Sequence, residues 1–267
     1  MIRYTLLFLL GLVSCSPHSK SGAQLAAPTS PGLQVVNYSL PSASTNASPC
    51  SNHPAYAGLH GTVQVSIVFG YKDTRPSRFV ADLFEKISLV NQLKKPCQNA
   101  AQKACGFEQD PDDLNQFQKF VNTSSGSERI LLKIVSSAVS ANDDENRDQP
   151  EQREYSRLAE KEFLAALAQS DAVFYIGHSR DGGGPDFFPP RLTRDKHVDY
   201  PFYVGSKESL SKVLKTLKGR PKEKPLLLGM MSCSSTAHFA SELTNAFEKL
   251  TLISSSALIY YTDALSN

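Results

Sequence analysis

From Thr62 onward two kinds of segment alternate, and that alternation restricts the fold more than any single motif. Five short runs are apolar or β-branched: "TVQVSIVFG" from Thr62, "RILLKIVSSAV" from Arg129, "DAVFYIG" from Asp171, "PLLLGMM" from Pro225 and "LTLISSSA" from Leu250. Each has the length and composition of a strand. Between them lie segments with helical spacing. "SRFVADLFEKISLVNQL" places Phe79, Val80, Leu83, Phe84, Ile87 and Val90 at that period, with Ser77 as its cap after Pro76. "REYSRLAEKEFLAALAQS" sets Leu158, Phe163, Leu164 and Leu167 near one face. "SKESLSKVLKTL" and "SSTAHFASELTNAFEKL" complete the set, the latter capped by Ser234 or Ser235. Strands alternating with helices predict a three-layer, doubly wound α/β fold with a mostly parallel sheet of about five strands.

Three further segments are read less directly. "DDLNQFQKFV" has the spacing of a short helix, and "NDDENRDQPEQRE" reads as a charged surface loop, accessible to an activating cleavage. Between His178 and Gly205 there is no clear period. A segment of that length in a compact domain is usually functional.

The first 60 residues are of a different kind. "MIRYTLLFLLGLVSC" has one Arg, an apolar run and then small residues, the pattern of an export signal. Leu12, Val13 and Ser14 before Cys15 resemble the lipobox of bacterial lipoproteins. That resemblance implies cleavage before Cys15 and acylation of its thiol. It also implies a lipid-anchored protein of the cell envelope, at the outer membrane in a Gram-negative cell because Ser16 follows the cysteine. Residues 16–60 are rich in Ser, Pro, Ala and Asn and read as a tether, in which "LQVVNYSL" could add one edge strand. The organisation expected is a signal over 1–15, a tether over 16–60 and an α/β domain over 61–267. The net charge of +2 and the absence of a basic tract argue against a nucleic-acid partner.

Export implies an oxidising compartment. Cys50, Cys97, Cys105 and Cys233 remain after Cys15. Cys97 and Cys105 are close enough for a local disulfide, and the pairing of Cys50 stays open. No spacing of Cys or His suggests a metal site, and no cofactor is expected.

Two strands end on reactive side chains. "DAVFYIGHS" stops at Gly177-His178, and "PLLLGMMSCS" stops at Ser232-Cys233. Ligands in such sheets bind beyond the carboxyl ends of the strands. A Cys beside a His can exist as a thiolate and imidazolium, and a helix N-terminus after Cys233 favours the thiolate further. Backbone N–H groups after Gly177 and at Cys233 could point into the cleft and hold an oxyanion. The glycines at 182–184 would let the backbone approach a substrate.

The stretches "VFYIGHS" and "LLLGMMSCS" resemble the caspase, legumain, gingipain and clostripain superfamily of cysteine peptidases. There, one strand ends in His-Gly and the next in a small residue and the catalytic Cys. The resemblance implies a caspase-like fold from about Gly61. It makes His178 the general base or orienting group, Cys233 the nucleophile, Gly177, Ser179 and Cys233 the oxyanion backbone, and a peptide or protein the substrate. Ser179 stands where the family has Gly.

Two other functions fit the same residues. One is a catalytically degenerate lipoprotein that binds peptide or envelope components. The other is a serine hydrolase, since "GHSRD" looks like a G-x-S-x-G elbow with Ser179 as nucleophile and His197 or His238 as base. Asp181 and Asp186 read as turn caps or as contacts for a basic substrate group. Phe187, Phe188, Tyr200, Phe202 and Tyr203 either line a pocket or close the long loop over the core.

Overall fold

The computed structural model describes residues 33–36, 61–71, 82–98, 104–123, 126–140 and 143–257. The signal segment, Cys15, Cys50 and the Ser77 cap lie outside the described residues. In chain order the elements are β1 (Leu33–Val36), β2 (Thr62–Phe69), α1 (Asp82–Lys94), β3 (Glu108–Gln109), β4 (Gln116–Thr123) and β5 (Gly126–Ser136). They continue with α2 (Asp143–Asp148), α3 (Gln152–Gln169), β6 (Ala172–Ile176), a 3-10 turn (Arg180–Gly182), α4 (Tyr200–Ser206) and α5 (Glu208–Gly219). The last three are β7 (Leu226–Met231), α6 (Ser235–Ala246) and β8 (Leu250–Ser255).

All eight strands form one sheet, in the order β1-β8-β7-β6-β2-β5-β4-β3. The five expected from sequence are its parallel centre: β5, β2, β6, β7 and β8. Antiparallel additions lengthen both edges. One is β1, the edge strand foreseen in "LQVVNYSL", so the segment read as a tether contributes to the sheet. The other is the β4–β5 hairpin, where the expectation of a short helix in "DDLNQFQKFV" is corrected. Asp110 and Asp113 accept from backbone N–H groups of Asp112 and Asn115, which turns the chain before Gln116. Register with β5 then buries Phe117 and leaves Phe120 65% exposed. Cross-strand pairing overrode the local helical spacing. The charged loop is corrected in part, since "NDDENRDQPEQRE" contains all of α2 and the start of α3. On α3, Phe163 and Leu167 are buried, whereas Leu158 faces out.

Strands β6 and β7 are apolar throughout because both faces are covered. On one face α1 places Leu89 and Leu93 against Val65, Ile67, Phe69, Phe174 and Ile176. On the other, side chains from α3, α5 and α6 enclose Val68, Val173, Tyr175, Leu228 and Met230. After α1 the chain doubles back, with Phe107 N–H donating to Leu93 O, and Cys97 is disulfide-bonded to Cys105.

In strand sequence, the parallel centre runs second-first-third-fourth-fifth. The chain leaves β2 toward β5 on one side and later continues from β6 on the other. The topological switch therefore falls between β2 and β6, where doubly wound sheets bind ligands at their carboxyl ends.

The amino ends are locked by a buried guanidinium. Arg220 donates to the carbonyls of Leu167, Ser170, Lys224 and Pro225, which joins the end of α3 to the start of β7. Burial lowers its pKa from the ordinary arginine value. Arg220→Ala should cost about 3 kcal/mol, because several buried carbonyls lose their donor. Urea unfolding measures this; a cost near zero would remove Arg220 from the set of fold-defining contacts.

Candidate active site

The carboxyl end of the switch is organised by one hydroxyl. Tyr175, fully buried in β6, donates through its hydroxyl to the carbonyl of His178 at 2.9 Å. The same oxygen accepts from Asp186 N–H at 2.9 Å. Gly70 and Gly177 make room for it: a Cβ at Gly70 would stand 2.5 Å from this hydroxyl, and one at Gly177 would overlap it. Tyr71 N–H donates to Asp186 O, so the segment after His178 folds back across the end of β2. Phe187 then enters the core beside Phe163 and Tyr175.

Asp186 anchors that return. Its carboxylate accepts from Arg180 Nε at 2.6 Å and from Phe188 N–H at 3.2 Å, and the side chain is 7% exposed. Arg180 lies over the Tyr203 ring at 5.6 Å. The Tyr203 hydroxyl accepts from Arg191 N–H at 2.9 Å. Burial, then the nearby Asp186 charge, raises the Tyr203 phenol above its ordinary pKa, so its proton stays on. Of the two readings of Asp186, the turn-forming one describes these contacts.

His178 and Cys233 occupy equivalent positions on neighbouring strands. The last register pair of β6 and β7 is Ile176 with Met231, and each reactive residue is the second beyond it. The ladder runs one step further, because Gly177 N–H donates to Met231 O at 3.2 Å. That bond corrects one expectation: the Gly177 N–H is engaged in the sheet and is not an oxyanion donor. Cys233 is a thiol and not half of a disulfide, and both it and His178 are half-buried.

Cys233 immediately precedes Ser234, the N-cap of α6, which holds left-handed backbone at φ 49. The cap position is as expected, but the Ser234 side chain makes no capping bond. Ser235 does other work: its hydroxyl donates to Met230 O and accepts from Ser255 N–H. The helix N-terminus thus lies just after the cysteine, where its partial positive charge favours an anion.

Strain collects at this end of the sheet. The positive-φ residues other than glycine, among those described, are Arg180, Asp181, Lys196, Lys207 and Ser234. All lie in the segments leaving β6 and β7. Such conformations cost on the order of 1–3 kcal/mol each and gather at functional sites. Beside Cys233, the buried Ser232 hydroxyl meets no hydrogen-bond partner among the described residues.

Other expected residues fall differently. Ser179 is 5% exposed at φ −82, ψ −15, and a 3-10 turn follows it. A strand–turn–helix elbow with an exposed hydroxyl is not what surrounds it. The glycines at 182–184 approach protein: a Cβ would meet His238 at Gly182, the Tyr203 backbone at Gly183 and Leu210 N at Gly184. That corrects their reading as a substrate-facing backbone. Phe187 closes the loop over the core, while Tyr200 and Phe202 stay exposed. His197 lies in an exposed turn, and His238 lies beside Asp181 on α6.

A groove of about 320 Å³ lies between β2, β5 and α3, lined by Gln64, Ser66, Lys133, Glu162, Gln169 and Ser170. It contains none of the strand-end residues, and its volume alone gives it no chemistry. The strained carboxyl end is the better candidate.

Tyr175 and Arg180 carry no motif that singles them out in the sequence. A tyrosine inside an otherwise aliphatic strand is a usable signal, because its buried hydroxyl must find a partner. No spacing rule pairs Arg180 with Asp186.

In comparisons with known proteins, no family model, no curated protein and no solved structure matches the chain.

Asp186→Asn should destabilise the fold by about 3–5 kcal/mol, since it leaves the Arg180 guanidinium buried without its counter-charge. Replacing both, Arg180→Met with Asp186→Leu, should return much of that loss. Urea unfolding of the three variants measures it; a single variant as stable as wild type would show that the pair does not anchor the loop.

Proposed function

We propose that the chain is a membrane-anchored, cysteine-peptidase-like protein that hydrolyses amide bonds with a His178–Cys233 dyad. The single observation that carries this reading is the matched position of the two residues beyond Ile176 and Met231, with Cys233 present as a thiol. The sulfur attacks the peptide carbonyl as the thiolate, and the proton held by His178 passes to the leaving amine. The resulting thioester is then cleaved by water, with His178 taking a proton from it. The substrate is a peptide or protein. Cys15 carries the lipid anchor at the cell envelope, on the strength of its lipobox-like context. Among the described residues no helix is long and apolar enough to cross a membrane.

The caspase-like reading is kept here as a proposal. Its support is the second-first-third-fourth-fifth order of the parallel strands and the two strand-end motifs. One observation favours the degenerate, ligand-binding alternative: Gly177 N–H is already bonded to Met231 O.

Cys233 should be alkylated by iodoacetamide rapidly at pH 6, where an ordinary thiol with pKa about 8.5 is almost wholly protonated. His178→Ala should slow that reaction about tenfold or more, and Cys233→Ala should abolish hydrolysis of a mixed peptide library. A thiol of ordinary reactivity, indifferent to His178→Ala, would sink the dyad. A reactive thiol without hydrolysis would point to the binding protein. Labelling at Ser179 by a fluorophosphonate would point to the serine hydrolase.

A further inference from the structure

Two side chains on one stripe of α6 reach the segment that follows His178. His238 and Glu242 are four residues apart and therefore share a helix face. His238 Nε2 lies 3.8 Å from Asp181 Oδ1, an ion pair whenever the imidazole is protonated. Lys207 Nζ donates to Glu242 Oε1 at 3.1 Å. Their partners Asp181 and Lys207 both hold left-handed backbone, with φ of 53° and 43°. Gly182 lies between them at φ +90, and a Cβ there would stand 3.1 Å from His238 Nδ1. The imidazole thus rests directly on the backbone of the turn.

The placement of these contacts gives them a role. Helix α6 begins just after Cys233, and the turn Arg180–Gly182 begins just after His178. Both contacts tie the segment leaving β6 to the helix leaving β7. Exposed pairs contribute little to global stability. They can still decide how often a local segment opens, because loops open with free energies far below the global value.

We infer that His238 and Glu242 are positioning residues, a two-point strap that fixes the His178 segment relative to Cys233. This rests on the reading of His178 and Cys233 as a dyad. In this role each acts through the loop that it holds.

The test uses His238→Gln and Glu242→Gln in the full chain, with two readouts. One is hydrogen exchange at the Gly182–Gly184 amides, which donate to Ser179 O and Arg180 O. The other is the pH profile of Cys233 alkylation. Both variants should keep the wild-type melting temperature, exchange these amides about tenfold faster, and lose rate at low pH in the direction of His178→Ala. The charge swap Lys207→Glu with Glu242→Lys should restore both readouts. Unchanged exchange, or an unchanged alkylation profile, overturns the strap. A profile that ignores His178→Ala but responds to His238→Gln overturns the dyad and, with it, the positioning role, and makes His238 the group that the thiol senses. A profile that ignores all of these variants overturns both.

Discussion

A tyrosine hydroxyl at the end of β6 sets the geometry on which the candidate site depends. Tyr175 must be buried, because β6 lies in the middle of a sheet covered on both faces. A buried hydroxyl without partners costs on the order of 1–3 kcal/mol. The chain satisfies it with backbone: it donates to His178 O and accepts from Asp186 N–H. Those two bonds fix where the chain leaves β6 and where it returns. Glycine at 70 and 177 follows from the space that the hydroxyl needs. The Arg180–Asp186 pair then holds the intervening turn in backbone that neither Arg180 nor Asp181 would adopt alone.

The same constraint divides labour along the loop. Its first half, through Phe187, is buried apart from His178 and the exposed Asp181, and packs as part of the core. Its second half is a short hairpin-like turn, with Leu192 bridged to Val198, and then α4, which buries no residue. A rigid first half can hold His178 in place. An exposed second half, with Tyr200, Phe202 and Val204 outward, is the part that meets solvent and whatever binds there.

The parallel centre of the sheet was legible because burial on both faces leaves continuous apolar runs, and "AVFYI" and "LLLGMM" are such runs. The edges were less so. In β4 the residues Phe117, Phe120 and Val121 fit a helix and a strand equally well; only pairing with β5 decides between them. His178 and Cys233 were legible as strand ends, since the carboxyl end of a parallel strand is where a sequence motif and a site coincide. The groups that shape the site were not. Asp186 meets Arg180 through a turn of left-handed residues, and His238 meets Asp181 across two separate strand exits. Neither contact has a period or a spacing that a linear sequence displays.

Ser179 itself is not strained. Ser179 sits at φ −82, ψ −15, which any residue adopts. The two positions that do carry strain are the next ones, Arg180 and Asp181, and both are held by side-chain contacts. In this chain the strain is thus carried by a pair of anchored polar residues. With Gly177 N–H committed to Met231 O, an oxyanion would have to be held by N–H groups beyond the ladder. Ser179 N–H donates to no described residue, and Cys233 stands at the mouth of α6. A site built this way depends on the turn after His178 keeping its strained shape. Tyr175, Asp186 and the α6 stripe all anchor that turn.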